Sequence, residues 1–118
     1  IAKVGGFDIA AMTGFYIGCA RHRVPAVMDG FISTVAALAA VRLCPAVRDS
    51  LTASHLSAEP GAEYVMEELG LTPLLRLGMA LGEGTGAASV MPLIDMALRV
   101  YFDMPSFDGI GIDAYQPL

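Results

Sequence analysis

Blocks of apolar residues along the chain predict alternating helices and short strands in its first half. Residues 6–23 predict a helix, residues 25–28 a short buried strand, and residues 31–43 a second, mostly apolar helix. A short turn or helical piece at residues 45–48 precedes a second, weaker strand at residues 51–54. A strand, an acid–glycine turn and a helix in this order form the βα unit of a parallel sheet.

The second half of the chain predicts helices alone. Residues 61–69 predict an amphipathic helix, and Gly70 is placed to end it as a glycine in the left-handed conformation. A proline at the start of residues 73–80 predicts another helix, because proline suits the first helical turn. Residues 87–102 are apolar nearly all round, so we expect a last helix that is buried on most sides. Residues 105–118 predict an irregular tail.

The composition is apolar for a small domain. Of 118 residues, 55% are hydrophobic and only 16% are charged, so part of the surface is expected to pack against something else. The longest uncharged helical stretch, residues 30–41, is too short to span a bilayer, which needs about 20 apolar residues. We therefore expect protein–protein burial and no membrane span. A net charge of −5 argues against nucleic-acid binding, which needs a basic surface.

The ends and the cysteines give further expectations. The chain starts at Ile1 rather than at methionine, so we expect a piece of a longer protein, and the alternative is a natural mature start. It has no signal-peptide pattern. Cys19 and Cys44 lie far apart with no paired spacing. They predict free thiols in a reducing compartment, the cytoplasm, and no metal site.

The most informative local motif is a glycine-rich loop at residues 81–86, ahead of the last helix. It holds a single carboxylate, Glu83, among three glycines with apolar residues on both sides. Such surroundings can raise the pKa of a carboxyl group toward the range of a general base. Thr85 is placed to cap the following helix. The alternative is a plain turn between two helices, with Glu83 in solvent.

Polar residues also follow both predicted strands. Asp29 and Gly30 come after the first strand, and His55 and Ser57 come after the second. If the strands are parallel neighbours, these two loops share the edge of the sheet where ligands bind in open α/β folds. Asp29 is then placed to meet a ribose or phosphate group, or else it is an ordinary helix cap. His55 is either a ligand contact or a structural histidine bonded to the backbone.

Six segments, in this order and spacing, resemble one enzyme family. They look like the C-terminal part of the nicotinate-nucleotide–dimethylbenzimidazole phosphoribosyltransferases, which act in assembly of the cobalamin nucleotide loop. The segments are residues 4–8 (VGGFD), 12–14 (MTG), 29–33 (DGFIS), 45–48 (PAVR), 54–61 (SHLSAEPG) and 81–87 (LGEGTGA).

The resemblance implies an α/β fold, as a helix-rich fragment of a Rossmann-like parallel-sheet enzyme with about two short parallel strands flanked by helices. Residues 1–104 would be the C-terminal portion of the phosphoribosyltransferase domain, and residues 105–118 match nothing recognisable. The family's reaction moves the phosphoribosyl group of nicotinate mononucleotide onto a nitrogen of 5,6-dimethylbenzimidazole. Nicotinate leaves, α-ribazole 5′-phosphate forms, and no metal or organic cofactor is implied.

The resemblance also assigns roles to residues. Glu83 would be the base that takes the benzimidazole N–H proton, with the flat ring lying against Leu81 and the neighbouring glycines. Asp29, Gly30 and Ser57 would meet the ribose phosphate. The implied substrate-binding residues are Gly5, Gly6, Asp29, Gly30, Ser57, Leu81 and Gly82.

The family's enzymes are homodimers and much longer than this chain. Their upstream part supplies most of the parallel sheet, much of the benzimidazole pocket and a second glycine-rich phosphate loop. We therefore expect this chain to be inactive alone and to contact either a missing N-terminal part or a second subunit. The alternative is a non-catalytic interaction or ligand-binding domain that keeps the family's surface.

Overall fold

The computed structural model of the chain describes residues 5–106, 108–111 and 113. Helices and two short strands alternate through the first half, as the apolar pattern predicts. The elements are α1 (Phe7–Arg21), β1 (Ala26–Met28), α2 (Phe31–Leu43), a 3₁₀ helix (Pro45–Ser50), β2 (Leu51–Ala53), α3 (Ala62–Leu69), α4 (Thr85–Asp103) and a short 3₁₀ helix (Asp108–Ile110). The last of these lies in the predicted tail, half of which falls outside the described residues.

The two strands form a parallel sheet, which confirms the predicted α/β fold. Val27 of β1 lies opposite Thr52 of β2 in the ladder. The connection between them passes through α2 and the 3₁₀ helix, as a parallel pairing requires. Because the strands are parallel, the loops that follow Met28 and Ala53 leave the sheet at the same edge.

Small side chains let the helices pack closely in the core. Ala36, Ala37 and Ala40 of α2 are fully buried. The Thr13 hydroxyl of α1 lies within hydrogen-bond distance of the carbonyl oxygens of Ile9, at 2.7 Å, and Ala36, at 3.2 Å. This polar side chain is thus satisfied where α1 meets α2, which costs less than burying an unpaired hydroxyl.

The predicted end of α3 is confirmed. Gly70 has a φ of 62°, which a residue with a side chain adopts only at a cost. The guanidinium of Arg48 donates to the carbonyl oxygens of Leu69, at 2.7 Å, and Gly70, at 2.5 Å. These bonds satisfy carbonyl groups that the helix end would otherwise leave unpaired.

The helix predicted at residues 73–80 is wrong. Leu74 and Leu75 lie beside the continuation of β2, and their amides donate to the carbonyl oxygens of Ala53 (3.0 Å) and Ser54 (2.9 Å). The Leu56 amide donates back to Leu75 at 2.9 Å. The open edge of β2 offers these partners, and pairing with it replaces the local hydrogen bonds of the helix that Pro73 and the leucines predict.

The last helix is present, but its predicted burial is wrong within this chain. Of α4, only Gly86 and Val90 are buried, whereas the Tyr101 and Phe102 side chains are 79% and 73% exposed. The radius of gyration is 17.5 Å, against about 13.5 Å for a compact chain of this length. Among the described residues, no helix is long and apolar enough to cross a membrane.

Candidate active site

A cavity of about 430 Å³ opens at the sheet edge where both strand loops emerge. Three loops meet there: the one after β1, the one after β2, and the glycine-rich loop before α4. Its walls include six of the residues predicted from the sequence: Asp29, Gly30, Ser57, Leu81, Gly82 and Glu83. Segments separated by more than fifty residues thus converge on one concave surface, which is the usual setting of a ligand site in this class of fold.

Two predicted residues lie elsewhere. Gly5 and Gly6 belong to the described part of the chain, yet they are exposed ahead of α1 and are not among the residues that line this cavity. Met12 of α1 does reach the cavity wall. The predicted contact of Gly5 and Gly6 with the nucleotide therefore stays a prediction.

The glycine-rich loop makes a tight turn with three successive positive φ angles. Gly82, Glu83 and Gly84 have φ values of 73°, 57° and 79°, and the Thr85 amide donates to the Gly82 carbonyl oxygen at 3.0 Å. Two central residues with positive φ are typical of a type I′ turn. Glutamate in this conformation costs about 1–2 kcal/mol, and such strain is concentrated at functional sites.

The predicted cap of α4 by Thr85 is wrong, because its hydroxyl donates back to the Gly82 carbonyl oxygen at 2.7 Å. The carboxylate of Asp29 takes that place. Its two oxygens accept hydrogen bonds from the backbone amides of Gly84, at 3.0 Å, and Ala87, at 2.9 Å. An anion is stabilised there by the free N–H groups and the dipole of the helix.

Asp29 itself is fixed to the sheet. Its amide donates to the Ser33 hydroxyl at 3.0 Å, and that hydroxyl donates to the Gly30 carbonyl oxygen at 2.8 Å. The Ser54 hydroxyl donates to the Asp29 carbonyl oxygen at 3.3 Å. Gly30 caps α2, so the alternative role of Asp29 as the cap of its own helix is wrong.

His55 is a structural residue rather than a cavity contact. Its side chain is 2% exposed, and its Nδ1 lies 3.0 Å from the Ser54 hydroxyl oxygen. The predicted alternative of a bond to the backbone is therefore replaced by a bond to a neighbouring side chain. The ring packs against Gly86 in the first turn of α4, where a Cβ atom would overlap Nδ1 and Cε1.

Sequence reasoning missed one acid at the cavity. Glu59 lines the wall, and its carboxylate accepts a hydrogen bond from the Ser57 hydroxyl. This bond, followed by a bond to backbone, lowers the pKa of Glu59 below its ordinary value. An acid two residues after Ser57 in the loop that follows β2 is the signal that could have identified it.

The cavity wall is acidic. Asp29, Glu59 and Glu83 line it, and Lys, Arg and His are absent from the described lining residues. The Glu83 side chain is exposed, so the apolar enclosure expected around it is not formed by the described part of this chain. Such a wall favours a cationic group over an anion. Within the described residues, no cluster of three or more His, Cys, Asp or Glu side chains could hold a metal ion.

Comparison with known proteins agrees with this geometry. Residues 1–112 match the model of a family described as phosphoribosyltransferase. The chain belongs to this family. The match extends past Met104 into the segment that the sequence resemblance left unplaced.

Two relatives that align with nearly the whole chain are phosphoribosyltransferases by name. A nicotinate-nucleotide–dimethylbenzimidazole phosphoribosyltransferase of Clostridium acetobutylicum is 50% identical over all 118 residues, which are 34% of its own length. One from Chlorobium chlorochromatii is 54% identical over 112 residues, 95% of this chain and 32% of the relative. The chain thus spans about a third of the length of these relatives.

A solved structure has the same fold. The crystal structure of the enzyme of that name from Thermus thermophilus superposes with a TM-score of 0.89 at 45% identity. The alignment covers 97% of this chain and 34% of the other. The resemblance inferred from six short segments is therefore confirmed over nearly the whole chain.

Proposed function

We propose that the protein containing this chain transfers the phosphoribosyl group of nicotinate mononucleotide to 5,6-dimethylbenzimidazole. Family membership supports this reaction class, and the relatives' names supply the two substrates. The observation that carries the proposal is the meeting of three distant loops around one cavity, with the strained Glu83 on its wall.

Glu83 is the proposed base. One benzimidazole nitrogen attacks C1′ of the ribose with its lone pair while the bond from C1′ to the nicotinate nitrogen breaks. The electron pair of that bond returns to the nicotinate ring. The other benzimidazole nitrogen then loses its proton to the Glu83 carboxylate, so that a neutral product base remains.

The acidic wall suits the charges of this reaction. The ring nitrogen of nicotinate mononucleotide carries a positive charge while it is bonded to ribose, and C1′ gains positive character as nicotinate departs. Carboxylates at Glu59 and Glu83 stabilise both charges electrostatically. The ring of dimethylbenzimidazole would lie against Leu81 and Gly82.

The phosphate needs a different environment, because carboxylates repel it. We assign it to the backbone at Gly30, and leave beside the ribose Asp29 and Ser57, whose hydroxyl donates to the Glu59 carboxylate. Gly5 and Gly6 would approach the same nucleotide in the complete enzyme. Further phosphate contacts are expected from the upstream part that the longer relatives possess.

The proposal also concerns the place of this chain in the complete enzyme. Residues 1–104 would form the C-terminal portion of a phosphoribosyltransferase domain that is inactive alone. The exposed apolar face of α4 would pack against the rest of the enzyme or a second subunit of a homodimer. Cys19 and Cys44 are free thiols, which fits a protein of the reducing cytoplasm.

Glu83→Gln in the full-length protein tests the base directly. Glutamine keeps the size of the side chain but cannot take the proton, so kcat should fall by about 10²–10⁴. The KM for nicotinate mononucleotide should rise less than kcat falls, because the Glu59 carboxylate still faces the charged ring. Product formation is followed by chromatography of α-ribazole 5′-phosphate.

Asp49→Asn is the matched control, because Asp49 is exposed just ahead of β2, at the opposite end of the strand from the cavity. Near wild-type activity of Glu83→Gln would remove Glu83 from the mechanism. A wild-type protein that binds both compounds in calorimetry but forms no product would support the non-catalytic ligand-binding alternative instead.

A further inference from the structure

We propose that Asp29 is a positioning residue that holds Glu83 in place by capping the first turn of α4. The proposal rests on the role of Glu83 as the base. Asp29 would then act mainly through the loop it fastens, and less through contact with the nucleotide.

The two hydrogen bonds of Asp29 lie on the C-terminal side of Glu83. One oxygen accepts from Gly84, the residue directly after Glu83, and the other accepts from Ala87 three residues later. Both oxygens are thus engaged by the backbone that carries the base. A bidentate contact of this kind fixes both the distance and the orientation of the loop.

Asp29 is held rigidly because it follows β1 directly. Its amide and its carbonyl oxygen are held by the hydroxyls of Ser33 and Ser54. Ser54 in turn contacts the buried ring of His55, which packs under Gly86. Hydrogen bonds and one packing contact therefore connect the sheet to the first turn of α4, across 55 residues of sequence between Asp29 and Gly84.

The loop needs such an anchor. Glu83 has a φ of 57° and an exposed side chain, so its own packing does not hold it in this unfavourable conformation. Without the bonds to Asp29, the turn can relax and carry the carboxylate away from its working position. A displacement of about 1 Å at a reacting group can cost on the order of 10²-fold in rate.

Asp29→Asn in the full-length protein tests the proposal. Asparagine keeps the shape but replaces one acceptor oxygen by an NH₂ group, which cannot accept from the Gly84 or Ala87 amide. We expect kcat to fall by about 10-fold to 10²-fold, with the KM for nicotinate mononucleotide within about threefold of wild type. Hydrogen exchange at the Gly84 and Ala87 amides, followed by mass spectrometry, should become faster.

The double variant Asp29→Asn with Glu83→Gln separates positioning from direct contact. If Asp29 acts through Glu83, the double variant should be about as slow as Glu83→Gln alone, because the base is already absent. If Asp29 contacts the nucleotide independently, the two losses should multiply and the KM for nicotinate mononucleotide should rise. That second result overturns the proposal.

A failure of the hypothesis that Glu83 is the base can be distinguished from a failure of the hypothesis that Asp29 holds the loop. Full activity of Glu83→Gln refutes the proposed function, whereas the exchange measurement still reports whether Asp29 fastens the loop. Unchanged exchange at Gly84 and Ala87 in Asp29→Asn refutes the anchor even if activity falls. Asp49→Asn, an exposed acid away from the cavity, should leave the kinetics and the exchange at wild-type values.

Discussion

Gly86 is the glycine of the candidate site at which the lack of a side chain matters most. It lies in the first turn of α4, and the buried ring of His55 fills the space that a Cβ would need. The Asp29 carboxylate is 3.0 Å from the same point. In the sequence, this glycine is one of three in the loop, and only the contact with His55 distinguishes it from the glycines of the turn.

Gly86→Ala should destabilise the protein by about 1–3 kcal/mol, because the added methyl group forces His55 or the first turn of α4 to move. Gly14→Ala is the matched control, since Gly14 also lies inside a helix and has no atom within 4 Å of its Cβ position. That change should be neutral or stabilising by up to about 1 kcal/mol. Denaturant unfolding measures both, and equal stabilities would show that His55 does not restrict Gly86.

At the scale of elements, the sequence predicts most helices and both strands because their periodicity is local. The strands at residues 25–28 and 51–54, and the helices around them, are found within a few residues of the predicted bounds. Residues 73–80 fail because their partner is distant in sequence. Leu74 and Leu75 form hydrogen bonds with the edge of β2. A pattern of leucines after a proline cannot predict that this edge lies nearby.

Hydrogen exchange distinguishes the two conformations of this segment. The amides of Leu74 and Leu75 should be protected, because they donate to Ala53 and Ser54. Those of Arg76 and Leu77 have no backbone acceptor within the described residues and should exchange faster. A helix over residues 73–80 would give the reverse order, since its first amides are free and the Leu77 amide would be bonded.

At the scale of the whole molecule, α4 is the unusual element. It is 19 residues long, yet it is buried only at Gly86 and Val90, and large apolar side chains are exposed along its second half. Leu74 and the part of α4 between Leu93 and Tyr101 border an apolar groove of about 470 Å³. A surface of this kind indicates packing against another part of the protein or another subunit.

Leu98→Glu tests whether the α4 face is covered in the full-length protein. Leu98 is 48% exposed in this chain. If the face is covered, losing this contact and burying a charge should cost at least about 1.5–3 kcal/mol. Arg99→Glu introduces the same side chain at the neighbouring exposed position, which already carries a charge, and should cost far less. Thermal unfolding and sedimentation velocity measure stability and assembly, and an unchanged Leu98→Glu variant would show that the face is in water.

The sequence by itself determined the α/β class, the family and six of the residues that meet at the cavity. These depend on local periodicity and on short motifs. Both are present in this chain, although it spans only about a third of the relatives' length. The tertiary structure decided how those residues are used. It placed the Asp29 carboxylate on the amides of Gly84 and Ala87, buried His55 beneath Gly86, and left α4 uncovered. Such contacts join residues far apart along the chain, so no local pattern records them.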